Sequence, residues 1–144
     1  MNLRKWWRKM HEILVDMAGS QIIKILALLI IADVMFGVLK ALKERKFISE
    51  IGINGIIRKT AIIVCIVVVF IFDCLIDLDL TMLLPDFISA VLPEIGVCEI
   101  FGVTLAVFEL ESIIANFKAL GVPFPTAIGE KIHELSQKFE KGDK

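Results

Sequence analysis

Lysine and arginine are missing from the middle of this chain. None occurs between Lys59 and Lys118, a stretch of 58 residues that holds eight carboxylates: Asp73, Asp77, Asp79, Asp86, Glu94, Glu99, Glu109 and Glu111. All 16 cations lie before or after it. A soluble domain gives no cause for such a partition, whereas Lys and Arg beside a membrane span are retained on the cytoplasmic side. Cysteine is scarce as well. Cys65, Cys74 and Cys98 form no CxxC or Cys/His spacing, so no metal site is expected. Cys65 falls mid-span and reads as a small apolar filler. Cys74 and Cys98 both fall toward the outer side, and whether they bond stays open because sequence does not fix their separation. A nucleophile motif and a phosphate-binding glycine loop are also absent, which argues against enzyme chemistry and against a cofactor. His11 and His133 both sit on amphipathic segments and read as solvated. With a net charge of −1 the chain has no electrostatic case for nucleic acid.

What is present is apolar. The hydrophobic fraction is 57% without counting glycine, and the mean hydropathy is +0.80. A soluble domain averages roughly 45–50% with glycine included. The expected fold is an all-α integral membrane protein with three transmembrane helices, a single domain of 144 residues. Residues 1–19 hold an amphipathic helix. Leu3, Trp6, Trp7, Met10, Ile13, Leu14 and Met17 share one face, while Arg4, Lys5, Arg8 and Lys9 lie on the other. Paired Trp against cations suits the membrane interface. No small-residue cleavage site follows the first apolar run, so no cleaved leader is expected.

Span 1 covers residues 22–42, enough for about 30 Å of hydrocarbon at 1.5 Å per residue. Residues 43–59 read as a basic connector turning at Gly52 and Gly55, with Lys43, Arg45, Lys46, Arg58 and Lys59. Span 2 covers residues 60–80; its β-branched run is no argument for a strand, since lipid forces backbone groups to pair within a helix. Residues 81–99 form an outer loop with a short helix over 86–92, and span 3 covers residues 100–120. Pro123 and Pro125 stop it. Residues 126–141 form a second amphipathic helix whose narrow stripe, Ile128, Ile132, Leu135 and Phe139, suits a partner helix.

Three spans place the connector and the C-terminal tail on one side. Together with Lys40 and Lys118 at the adjoining span ends they carry eleven cations, against four on the N-terminal tail plus Lys24. The larger sum is expected in the cytoplasm, giving the N-terminus outside and the C-terminus inside. The basic N-terminal tail opposes this, so the first span is weakly committed and is expected to change position.

Each span also carries an acid, which usually faces a partner or water. Asp33, Gly37, Lys40 and Ala41 fall on one stripe of span 1, whose small residues permit close helix approach. Asp73 and Asp77 share a face of span 2 at i, i+4, where mutual repulsion favours water access or a shared proton. Glu109, Ser112 and Asn116 make a polar stripe on span 3, and Glu111 points elsewhere. These stripes either join helices by hydrogen bonds or face a shared aqueous path. Three helices cannot enclose a wide pore, so a pore would need a homo-oligomer.

Three segments resemble a known family. They are DVMFGVLKA over residues 33–41, SEIGINGIIRK over 49–59, and ELESII over 109–114 followed by ALGVPFP over 119–125. In order and spacing they are similar to the phage holins of the toxin-secretion/phage-lysis type, a group that includes holin-like proteins of clostridial toxin loci. Where that family carries paired Ser at the start of the connector, this chain has Ser49–Glu50. The resemblance implies a protein of the bacterial cytoplasmic membrane that oligomerises and opens timed lesions in the lipid bilayer. Through these an endolysin or toxin passes without a specific binding site, and an antiholin is an implied regulator. The alternatives are an antiholin or regulatory subunit, a small oligomeric ion channel, and a helix-packing scaffold.

Overall fold

The computed structural model describes residues 3–45, 50–76, 79–89 and 95–141. The described residues are helical throughout, with no strand among them. In chain order the helices are α1 (Leu3–Gly19), α2 (Gln21–Glu44), α3 (Glu50–Ile76), a 3-10 turn (Leu80–Leu83), α4 (Asp86–Ser89), α5 (Val97–Leu120) and α6 (Thr126–Lys141). Lys46, Ser49, Asp77 and Glu94, which the sequence reading used, lie outside the described residues.

The centre of the molecule is α5, which packs on α2, α3 and α6. Leu26 and Ile30 of α2, Ile62, Ile66 and Phe70 of α3, and Cys98 and Ala106 of α5 form one buried cluster. Gly102 faces Ile22, and Lys43 reaches Ala119, so α2 and α5 run in the same direction. Contact is close at the first of these points. A Cβ on Gly102 would lie 2.4 Å from Ile22 Cγ1, so only glycine lets the helices meet there. Gly37 is not such a point; its nearest neighbour, Asn116 Nδ2, would be 4.0 Å from an added Cβ.

Two helices, α2 and residues Ile53–Ile76 of α3, are long and apolar enough to cross a membrane. Only 17% of the most apolar stretch of each is buried within the protein. That fraction separates them from the core helices of a soluble protein. Their outer sides present Leu28, Ile31 and Met35 on α2 and Ile56, Val64 and Val68 on α3, all more than half exposed. An apolar surface of that extent is stable against lipid or protein and unstable against water.

The connector departs from expectation. The described helix α3 begins at Glu50 and passes straight through Gly52 and Gly55, in place of a turn there and a helix starting near residue 60. An added Cβ on Gly55 would meet nothing within 4 Å, so no tight turn calls for glycine at that position. Each helical glycine costs about 1 kcal/mol, which the backbone hydrogen bonds of a continuous helix outweigh where water is scarce. Arg45 ends α2 in the left-handed conformation, φ 55, its N–H bonded back to the last turn.

At the other end, α1 leans on the bundle through Ile13 and Met17 and leaves Trp6 and Trp7 exposed, stacked edge to face at 5.2 Å. Arg4, Lys5, Arg8 and Lys9 are exposed as well. Cys65 and Cys74 are exposed and Cys98 is buried.

Candidate functional site

A buried ion cluster lies midway along the three long helices. Asp33 of α2 is 4% exposed, Glu109 of α5 is fully buried, and Lys59 of α3 enters between them at 13%. The Lys59 ammonium sits 2.5 Å from Asp33 Oδ2 and also pairs with Glu109 Oε2. Ser112 donates its hydroxyl to Asp33 Oδ2 at 3.0 Å, and Asn116 donates its amide to Asp33 Oδ1 at 2.7 Å. Every oxygen of Asp33 is thus satisfied. Glu109 Oε1 is buried with no partner. Helical period explains the donors: Glu109, Ser112 and Asn116 lie at spacings of three and four, on the face of α5 turned to α2.

The cluster holds two carboxylates and one ammonium. Each such charge at mid-bilayer costs about 2.5–3.5 kcal/mol alone, so mutual pairing is what makes the three helices compatible with one another. A group left without its partner in such a place costs about 3–5 kcal/mol. The cluster therefore fixes the register of α2, α3 and α5.

Of the residues singled out by sequence, the structure brings Asp33, Glu109, Ser112 and Asn116 together. Gly37 lies beside Asn116 without close contact. Lys40 is half-buried and forms no ion pair among the described residues. Asp73 stands apart and has another task. Its two oxygens accept from the N–H groups of Val97 and Cys98, at 3.1 and 2.9 Å, which caps the N-terminus of α5. Glu99 accepts from Gly96 N–H at 2.9 Å in the same turn. An added Cβ on Gly96 would lie 2.1 Å from Asp73 Oδ2, so glycine is what admits the carboxylate.

The opposite end of α5 is capped by a cation. Lys43 Nζ donates to Ala119 carbonyl at 2.9 Å, and Gly121, at φ 78, closes the helix with Val122 N–H on Phe117 carbonyl. A carboxylate at the N-terminus and an ammonium at the C-terminus both complement the helix dipole.

Lys59 is the member that sequence reasoning assigned elsewhere. It was placed in the basic connector, but the longer α3 carries it into the bundle. No local sequence signal marks it: Lys59 stands four residues after Gly55, and the unbroken 27-residue helix that carries it inward is a feature of the fold. Its neighbour Arg58 is exposed. Glu111, on the other side of α5 from Glu109, meets His133 of α6, Oε1 to Nδ1 at 2.5 Å. His133 is thus solvated but also paired, which the sequence did not indicate.

Comparison with known proteins gives the arrangement its kin. The chain is 38% identical over 112 residues to the holin-like protein TcdE of Clostridioides difficile, covering 76% of this chain and 68% of that one. It is 29% identical over 117 residues to an uncharacterized 14.9 kDa protein in the nagH 3′ region of Clostridium perfringens, covering 78% and 75%. No solved structure matches it. Residues 13–137, which include every residue of the ion cluster and both caps of α5, match the model of the bacteriophage holin family, and the chain belongs to that family.

Proposed function

We propose that this protein permeabilises the bacterial cytoplasmic membrane in the manner of a holin, releasing a cell-wall hydrolase or a toxin. In this reading α2, α3 and α5 cross the bilayer, with the N-terminus and residues 79–89 outside, the segment joining α2 to α3 on the cytoplasmic side, and α6 folding back along α5 from that side. The buried cluster of Asp33, Lys59 and Glu109 carries the reading. It joins three helices at one depth, while the surfaces of α2 and α3 turned away from it are apolar.

α5 is not one of the two helices apolar enough by composition to cross a membrane, and it is the one most enclosed by the others. Its 24 residues extend about 36 Å at 1.5 Å per residue, long enough to span. Three helices are too few to enclose a wide pore, so passage of a protein requires several copies. Trp6 and Trp7 of α1, with the cations on its other face, anchor the N-terminal helix at the outer headgroups. No reaction is assigned to the chain; its partners are lipid and further copies of itself.

Inducing the protein alone in a bacterium, while following membrane potential and the escape of a cytoplasmic enzyme, tests this. A holin collapses the potential and releases the enzyme. Loss of potential with the enzyme retained points to an ion channel. A sealed membrane refutes permeabilisation, and an antiholin would then delay lysis by a co-expressed holin where a scaffold would not.

A further inference from the structure

Helix α6 folds back against α5. Gly129 faces Ile114, where an added Cβ would stand 3.7 Å from Ile114 Cγ2. One turn further along α6, His133 meets Glu111 at 2.5 Å, and Ser136, 3% exposed, donates to the His133 carbonyl. α6 therefore lies beside the C-terminal half of α5, reaching Glu111. Glu111 is two residues from Glu109, about 3 Å along the axis, and so at the depth of the buried ion cluster. Yet the outer side of α6 carries Glu130, Lys131, Glu134, Lys138 and Lys141, all exposed.

A helix so charged is not stable against hydrocarbon. The side of the bundle that α6 covers therefore faces water or another copy of the protein, unlike the apolar sides of α2 and α3. Beneath it lies Glu111, itself half-buried. The polar part of the attachment is weak. His133 is 59% exposed and Glu111 35%, and exposed pairs contribute little. The rest of the contact is made by small residues, Gly129 and Ser136, and by half-buried Ile132 and Leu135. The linker, residues 121–125, holds a left-handed Gly121 and two prolines.

We propose that α6 is a removable cover over a water-lining face of α5. Docked, it covers the side bearing Glu111. Undocked about the 121–125 linker, it leaves that charged side to become part of the wall of the lesion. This inference rests on the permeabilising function proposed above.

A reversible lock tests it. The double variant Ile114→Cys, Gly129→Cys is reconstituted in dye-loaded phospholipid vesicles beside the unsubstituted protein and both single variants. The 114–129 cross-link is verified by mass spectrometry. The oxidised double variant is expected to release dye several-fold more slowly than after reduction, with the other three proteins indifferent to oxidant. A verified cross-link with unchanged release overturns the cover. If the unsubstituted protein releases no dye, permeabilisation itself fails and the cover falls with it. His133→Ala provides a second reading that needs no new bond. It loosens α6 and is expected to hasten dye release several-fold; unchanged or slower release counts against the proposal.

Discussion

Lys59 is the residue on which the interior depends. One ammonium serves two buried carboxylates from two other helices, and no second cation is within the cluster. Lys59→Met leaves Asp33 and Glu109 facing each other unneutralised. The expected loss is about 3–5 kcal/mol of unfolding free energy, measured by denaturant titration in detergent with helical circular dichroism. Adding Asp33→Asn should recover part of it, because the remaining repulsion is removed; additive losses would mean that the groups are solvated separately. Timing of lysis gives a second measure. Asp33→Leu or Glu109→Leu should shift its onset far more than Glu111→Gln, since glutamine still accepts from His133. The carboxylates and their donors were legible in the sequence, because spacings of three and four align Glu109, Ser112 and Asn116 on one face. Their counter-ion was not. Gly52 and Gly55 have the composition of a turn, and nothing local to them says that the helix continues.

At the scale of elements, α5 is built from its ends inward. Its N-terminus is held by a carboxylate from α3 and its C-terminus by an ammonium from α2. Asp73→Ala and Gly96→Ala each remove the first cap, one by deleting the carboxylate and the other by filling its place. Each should cost about 0.5–2 kcal/mol, with little further loss when combined, and amide exchange at Val97 and Cys98 should quicken. Lys43→Ala should cost less, about 0.3–1 kcal/mol. These caps escaped the sequence reading for a plain reason. A cap borrowed from a residue 24 or 76 positions away leaves no periodic trace. Asp73 and Asp77 were instead paired by spacing alone, although Asp73 spends both oxygens on backbone amides. The amphipathic pattern of α6 was clear, but its stripe misjudged the contact. Gly129 and Ser136 are buried, while Ile128 and Phe139 remain about half exposed. Small residues were chosen there over large ones because the helices lie close.

At the scale of the molecule, this is a membrane protein of the holin family, and the missing cations of its middle third were the first sign. Its sidedness is open to direct labelling. Met82, 81% exposed, and Glu44, also exposed, lie at opposite ends of the bundle. In a background without Cys65 and Cys74, Met82→Cys should react with an impermeant maleimide in intact cells, and Glu44→Cys only after the membrane is broken. The reverse pattern would invert the proposed topology. The positive-inside count needs one adjustment, because Lys59 is neutralised inside the bundle and adds little to it. The central place of α5 also bears on how the protein is made. Among the described residues, α2 and α3 pack mainly on α5 rather than along each other. A ribosome delivers those two first, and at about 5–20 residues per second several seconds pass before the third is complete. In the proposed topology the newborn hairpin waits in the bilayer through that interval with Asp33 and Lys59 as each other's company, so the third long helix is the one that knits the first two together.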